Sequence, residues 1–146
     1  MPEEIQETAA APVQTPEEKK REFVAALRER FPDAPTYEKL DEWKRGIGRV
    51  RFFPFSDDEI YFFRPFRNAE FKGWVQSLQQ TAQTNPAVAE ELLKERILSA
   101  CILWPPRAAE DISTMFAGTI DTLVDQIREA SNFIAPQEAA MMVGEW

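Results

Sequence analysis

The sequence predicts an α+β fold, a mostly helical single domain with one short antiparallel β-hairpin. Apolar residues recur at helical spacing over most of the chain, whereas aromatic and β-branched residues form two runs within residues 49–66. A length of 146 residues is enough for one modest hydrophobic core. We therefore expect a helical domain over residues 15–135. A flexible acidic N-terminal arm is expected over residues 1–14, and a C-terminal arm or short docking helix over residues 136–146.

The first two helices are predicted from their start and stop signals. The run TPEE at residues 15–18 combines an N-cap threonine, a proline at the first helical position and a capping-box glutamate. Phe31-Pro32 ends this helix, because the residue before a proline disfavours helical geometry. A second short helix is expected over residues 37–45, and Gly46 and Gly48 end it.

The predicted hairpin pairs residues 49–55 with residues 59–66 across the turn Ser56-Asp57-Asp58. Pro54 and Pro65 cannot donate ladder hydrogen bonds, so the strands should be short or lie at a sheet edge. Consecutive aromatic residues such as Phe62-Phe63 point to opposite faces of a strand. Exposed apolar patches are costly, so either helices cover both faces or a partner covers one.

The second half of the chain is predicted to be helical. Helices are expected over residues 68–80 and from Asn85 to the stop at Trp104-Pro105-Pro106, with a polar link over residues 79–84. A further helix should begin at Gly118 or Thr119 and carry core residues as far as Ile134. A last short helix is expected over residues 137–146.

Composition argues against several classes of function. The formal net charge is −8, there is no histidine, and Cys101 is the single cysteine. Without histidine the chain lacks the commonest general base and metal ligand, and Cys101 lacks its usual partner as a nucleophile. No apolar run approaches the ~20 residues that span a bilayer. We therefore expect a soluble protein that is not an enzyme, with no catalytic residue, no cofactor, no metal and no membrane partner.

Aromatic, arginine and methionine side chains outside the helical core stripes are the candidate partner contacts. Rigid rings and guanidinium groups bury a large area at low entropic cost. The candidates on or beside the hairpin and in the last residues are Phe53, Phe55, Phe63, Arg64, Phe66, Arg67, Met141, Met142 and Trp146. The alternative is that the hairpin rings form the core beneath the helices. Arginines interleaved with aromatics also suit single-stranded nucleic acid, but nearby carboxylates such as Asp57 and Asp58 nearly cancel the charge.

Two short motifs carry a resemblance to a known class of protein. One is the run YFFRPFRNAEFK at residues 61–72, and the other is CILWP at residues 101–105, followed by AGT at 117–119 and a helix over 120–133. Together they resemble small tail and baseplate-associated proteins of contractile-tailed bacteriophages, over about residues 60–134. The resemblance implies a non-enzymatic structural or assembly protein of the virion, assembled in the host cytoplasm.

The implied partners are other virion or tail-assembly proteins, with self-association as an additional mode. One alternative is a cytoplasmic assembly chaperone or adaptor that is absent from the mature particle. A further alternative is a small nucleic-acid-binding module. That module would require binding that weakens steeply with salt.

Overall fold

The structure is a computed structural model that describes residues 13–106 and 110–146. Most of the predicted flexible arm, residues 1–12, lies outside the described residues. The chain divides into two compact units, Met1–Leu40 and Asp41–Trp146. The predicted fold class is confirmed, because helices dominate and the strands form one antiparallel sheet.

The first unit contains helix α1 (Pro16–Arg30) and the start of α2 (Tyr37–Ile47). The predicted helix start is confirmed, because Thr15 Oγ1 accepts the Glu18 N–H at 3.1 Å and the Glu18 carboxylate accepts the Thr15 N–H at 3.3 Å. Arg21 links the two helices within this unit. Its guanidinium lies 3.3 Å from the Glu38 carboxylate and 4.0 Å from the centroid of the Tyr37 ring.

The second unit contains a three-stranded antiparallel sheet in the order β1 (Arg51–Ser56), β2 (Glu59–Phe63), β3 (Ile102–Trp104). The predicted hairpin is β1–β2, with Phe52 opposite Phe62, although β2 ends before Pro65. Strand β3 replaces the last turn of a predicted helix. Pro105 and Pro106 disfavour helix just before them, and the edge of β2 supplies hydrogen-bond partners to Ile102 and Trp104 instead.

The other helices of the second unit follow β2 in sequence, some before β3 and some after it. They are α3 (Asn68–Ser77), α4 (Gln79–Thr84), α5 (Pro86–Cys101), a 3-10 turn (Ile112–Thr114), α6 (Ala117–Ala130) and α7 (Pro136–Met142). Helix α4 lies where a polar link was predicted, and it packs against α5. A helix this short is unstable alone in water, so packing against a longer helix stabilises it.

The core of the second unit combines the inner face of the sheet with α5 and α6. Its most deeply buried members include Phe63, Ile97, Leu98, Cys101, Leu123 and Ile127. Strand β2 is buried on both faces, because Tyr61 and Phe63 on one face are 6% and 1% exposed and Ile60 and Phe62 on the other are 4% and 2% exposed. The chain therefore buries both faces of β2 without a partner chain.

Candidate protein-binding surface

Two of the predicted contact residues on the hairpin side belong to the core. Phe63 is 1% exposed and Phe66 is 6% exposed. The Phe66 ring stacks on Phe71 at a centroid distance of 5.6 Å and meets Trp74 edge-on at 5.4 Å, while its backbone N–H donates to Ser131 Oγ at 3.0 Å. Neither ring presents surface to a partner. The prediction of partner contact at Phe63 and Phe66 is therefore corrected, since both are packing residues.

Phe53 and Phe55 lie on β1, an edge strand of the sheet, and are half-buried. Their ring centroids are 4.6 Å apart, and Phe55 also meets the Tyr61 ring edge-on at 5.9 Å. Both pack against the core of the second unit. These rings retain some accessible surface, but most of their contacts are already made within the chain.

Arg64 forms a two-pronged ion pair with Glu70 at the start of α3. Its Nη1 and Nη2 donate to the two carboxylate oxygens at 3.0 and 2.9 Å. These hydrogen bonds raise the pKa of Arg64 and lower the pKa of Glu70. Glu70 also accepts the Arg67 backbone N–H at 3.2 Å, so it holds both the ion pair and the N-terminus of α3.

Arg64 stabilises the fold, because its guanidinium is hydrogen-bonded to a carboxylate of its own chain. Arg67 lies at the N-cap of α3 with an exposed side chain that donates to the Ile47 carbonyl at 3.4 Å. Of the predicted arginines, Arg67 retains the more accessible side chain.

The most accessible of the predicted contact residues lie in residues 136–146, which we call the C-terminal segment. Met141 and Met142 are 88% and 72% exposed, and Trp146 is fully exposed. Val143 between them is 75% exposed. The C-terminal segment begins with α7, where Pro136 occupies the first helical turn as its fixed backbone geometry allows.

The residues just before the C-terminal segment are anchored on the core. Asn132 adopts a left-handed conformation with φ of 70°, and its side-chain oxygen accepts a hydrogen bond from Arg49 at 3.1 Å. The ring of Phe133 packs against Phe66 and Phe71, each at a centroid distance of 5.6 Å. The C-terminal segment therefore starts from a fixed position and then becomes exposed.

An apolar groove that sequence reasoning missed lies between α3, α4 and α5. It has a volume of about 630 Å³, and we call it the α3–α5 groove. Its apolar lining consists of Phe71, Val75, Leu78, Ala82, Ala89 and Leu93. The groove was not expected, because residues 79–84 were predicted to be a polar link rather than a helix. The available signal was the series Phe71, Val75, Leu78 and Ala82, which continues one helical face across the α3–α4 junction.

The titratable groups of the core are held in their neutral forms. Burial raises the pKa of the Cys101 thiol to about 12, so it is protonated at neutral pH. Burial, followed by a 2.6 Å hydrogen bond to Glu59, also raises the pKa of Tyr61. Among residues 13–106 and 110–146, no group of three or more His, Cys, Asp or Glu side chains could hold a metal ion.

No helix in the part of the chain that the structure describes is long and apolar enough to cross a membrane. No family model, no curated protein and no solved structure matches the chain. The surfaces described above are therefore interpreted from their own chemistry.

Proposed function

We propose that this protein is a non-enzymatic protein–protein interaction subunit and that it binds its partner through the C-terminal segment. The observation that carries the proposal is that Met141, Met142 and Val143, which are consecutive along the chain, are 72–88% exposed and that the nearby Trp146 is fully exposed. Single exposed apolar residues are ordinary on protein surfaces, but contiguous ones mark interaction sites. Burial of this cluster against a partner removes that apolar surface from water.

The side-chain types of the C-terminal segment suit a protein interface. Methionine adapts its shape to irregular apolar surfaces, and tryptophan is enriched among the residues that dominate binding energy. The charged side chains of this segment are Glu138 and Glu145, both acidic. The partner surface is therefore an apolar pocket or groove, with neutral or basic groups at its rim.

The resemblance to contractile-tailed bacteriophage proteins supplies the biological setting of the proposal. In this setting the protein is a tail or baseplate subunit of the virion, assembled in the host cytoplasm with other tail proteins as partners. The alternative role is an assembly chaperone or adaptor that leaves before the particle is complete. Arg64, Phe66 and Glu70 of the resembling run make fold contacts, which supports binding elsewhere on the chain.

The nucleic-acid alternative receives less support from the side-chain geometry. Its most prominent arginine, Arg64, donates hydrogen bonds from Nη1 and Nη2 to the Glu70 carboxylate. The net charge of −8 opposes a phosphate backbone.

The test is affinity purification of the tagged protein from infected cells, followed by mass spectrometry of the stoichiometric partners. We expect a Met141→Ser/Trp146→Ser variant to lose those partners. Phe116→Ser is the matched control, because Phe116 is 81% exposed but lies outside the C-terminal segment. Recovery of the same partners by the Met141→Ser/Trp146→Ser variant would contradict the proposal.

Analysis of purified particles separates the two roles. Stoichiometric presence in mature particles indicates a structural subunit. Recovery with an unassembled partner and absence from particles indicates a chaperone or adaptor.

A further inference from the structure

We propose that Met141 and Met142 are an oxidation site, and that their conversion to methionine sulfoxide by a peroxide prevents the C-terminal segment from binding its partner. The inference rests on the proposed function, because it supplies a means of regulation for the same exposed apolar cluster. It adds a modification site, a class of oxidant and a reversible unbound state.

The sulfur-bearing side chains of the described residues differ in their accessibility. Met141 and Met142 are 88% and 72% exposed, and they are consecutive in the last turn of α7. Met115 is half-buried and packs against the core of the second unit. Cys101 is fully buried in that core. Because oxidation follows exposure, a peroxide in solution reacts first with the sulfurs of Met141 and Met142.

The single cysteine of the chain does not compete for the oxidant. The thiolate is the reactive form of cysteine, and burial raises the pKa of the Cys101 thiol to about 12. The nearby positive charge of Arg64 lowers this pKa by less than burial raises it. The thiol is therefore protonated at neutral pH and has no contact with solvent. The accessible sulfur of the described chain is thus concentrated in the C-terminal segment.

The reaction is a two-electron oxidation of the thioether. The methionine sulfur attacks one oxygen of hydrogen peroxide, an S–O bond forms, and the O–O bond breaks. The sulfur is oxidised and the peroxide is reduced. The second oxygen takes up the proton of the transferred one and leaves as water. Dedicated reductases return methionine sulfoxide to methionine, so the modified state is reversible.

Oxidation changes these two side chains in a way that opposes binding. A thioether is apolar, whereas a sulfoxide is polar and carries a hydrogen-bond acceptor. In the proposed interface Met141 and Met142 enter an apolar pocket, where an oxygen without a donor carries the cost of its desolvation. On the free chain the same oxygen stays hydrated. Oxidation therefore weakens the complex and leaves the folded chain intact.

Binding in turn protects the site. Burial of Met141 and Met142 against the partner removes both sulfurs from solvent, so the free chain is the form that is oxidised. A peroxide therefore acts on the unassembled subunit rather than on the complex.

Limited oxidation of the purified full-length chain tests the site itself. Hydrogen peroxide is added, and sulfoxide formation is followed by mass spectrometry of tryptic peptides. Arg128 separates Met115 from Met141 and Met142, so the internal control and the site fall on different peptides. We expect Met141 and Met142 to be oxidised several-fold faster than Met115. Equal rates would overturn the proposal.

Partition of the partly oxidised chain on its partner tests the consequence. The probe is the partner that the affinity purification identifies, immobilised in a limiting amount, and the bound and unbound pools are compared by mass spectrometry. We expect sulfoxide at Met141 and Met142 to be depleted ~10-fold or more in the bound pool. Sulfoxide at Met115 should be distributed equally between the pools. Equal distribution of the Met141 and Met142 sulfoxides, or an equal depletion at Met115, would overturn the proposal.

The matched variant is Met141→Leu/Met142→Leu, because leucine has a similar apolar volume and no sulfur. Its partner recovery before peroxide serves as its own baseline. We expect peroxide to lower the recovery by the wild type and to leave the variant at its baseline. A further loss by the treated variant would trace the effect to another side chain, such as Trp146, and would overturn the proposal. The partition experiment uses the wild type alone, so its result holds even where the variant binds weakly.

These outcomes are separable from failure of the proposed function. If Met141→Ser/Trp146→Ser loses the partners but the sulfoxides are distributed equally between the pools, the oxidation proposal fails and the proposed function stands. If Met141→Ser/Trp146→Ser recovers the same partners, the proposed function fails, and the regulation proposed for it fails as well.

Discussion

The aromatic hairpin and the C-terminal segment both carry large apolar side chains, and they differ in how much of that surface the chain itself covers. On β2, the residues from Ile60 to Phe63 are at most 6% exposed. In the C-terminal segment, Met141 is 88% exposed and Trp146 is fully exposed. The hairpin is the richer in aromatic residues, but the C-terminal segment offers far more accessible apolar surface.

This difference shows that residue type and burial in the folded chain are separate properties. Composition reports only the first. Residue type indicates how much free energy a side chain gains when it is buried. Tertiary packing determines whether the chain has already gained it. Phe63 and Phe66 have gained it in the folded monomer, whereas Met141 and Trp146 remain exposed.

The largest change in the free energy of unfolding is expected for Phe63→Ala. Phe63 is 1% exposed within the core, so its truncation should cost about 3–5 kcal/mol of the free energy of unfolding, measured by urea denaturation. Phe52→Ala on the neighbouring strand is the matched control, because Phe52 is 45% exposed and should cost much less. Equal losses at the two positions would mean that the hairpin is not buried as described.

The ion pair between Arg64 and Glu70 should produce the next largest effect. Arg64→Gln removes charge-assisted hydrogen bonds at 2.9 and 3.0 Å from a half-buried site, which should cost about 1–2 kcal/mol after allowance for solvent screening. The matched control is Arg45→Gln, which removes the exposed pair with Asp41 and should cost about 0.5 kcal/mol or less. If Arg64→Gln lost partner binding without any loss of stability, Arg64 would be a partner contact rather than a fold contact.

Much of the local structure was predictable from short-range signals. The Thr15–Glu18 capping box and the hairpin turn both depend on residues within a few positions of one another. Strand β3 was missed because its stability comes from a distant residue: Ile102 pairs with Phe63, and that contact has no signature in the segment itself. Helix α4 was missed because its sequence is polar and short, and it is stabilised by packing on α5.

The candidate site was predictable only in part, for the same reason. Met141, Met142 and Trp146 were identified by side-chain type and retain their exposure. Phe63 and Phe66 have the same chemistry, but residues far along the chain cover them, as the Phe66–Phe133 contact illustrates. The α3–α5 groove required three helices to be placed together in space before it existed as a feature.

A smaller effect is expected in the pH dependence of stability, and it tests the ion pair without truncating the arginine. The folded-state pKa of Glu70 lies below its ordinary value, chiefly because Arg64 hydrogen-bonds its carboxylate. The stabilisation is fully present above the ordinary glutamate pKa of about 4.3 and is lost as pH falls through the lowered pKa, because the unfolded chain then binds the extra proton.

Urea denaturation of the wild type and Glu70→Gln between neutral and acidic pH measures this effect. The wild type should be the more stable at neutral pH, and the difference should shrink as the pH falls through the acidic range. Glu138→Gln in the C-terminal segment is the control for the loss of a carboxylate at an exposed position. A wild-type advantage that is the same at every pH would contradict the assigned role of the Glu70 charge.

The smallest expected effect on stability bears most directly on the difference between the hairpin and the C-terminal segment. Met141→Ser and Trp146→Ser remove side chains that are exposed in the monomer, so each should change the free energy of unfolding by less than about 0.5 kcal/mol. The measurement is urea denaturation at a protein concentration below that at which the wild type self-associates, since dimerisation would otherwise add to apparent stability. A large loss under those conditions would show that the C-terminal segment packs on its own core. No loss, combined with loss of the partner, would show that these side chains gain their burial energy only on binding.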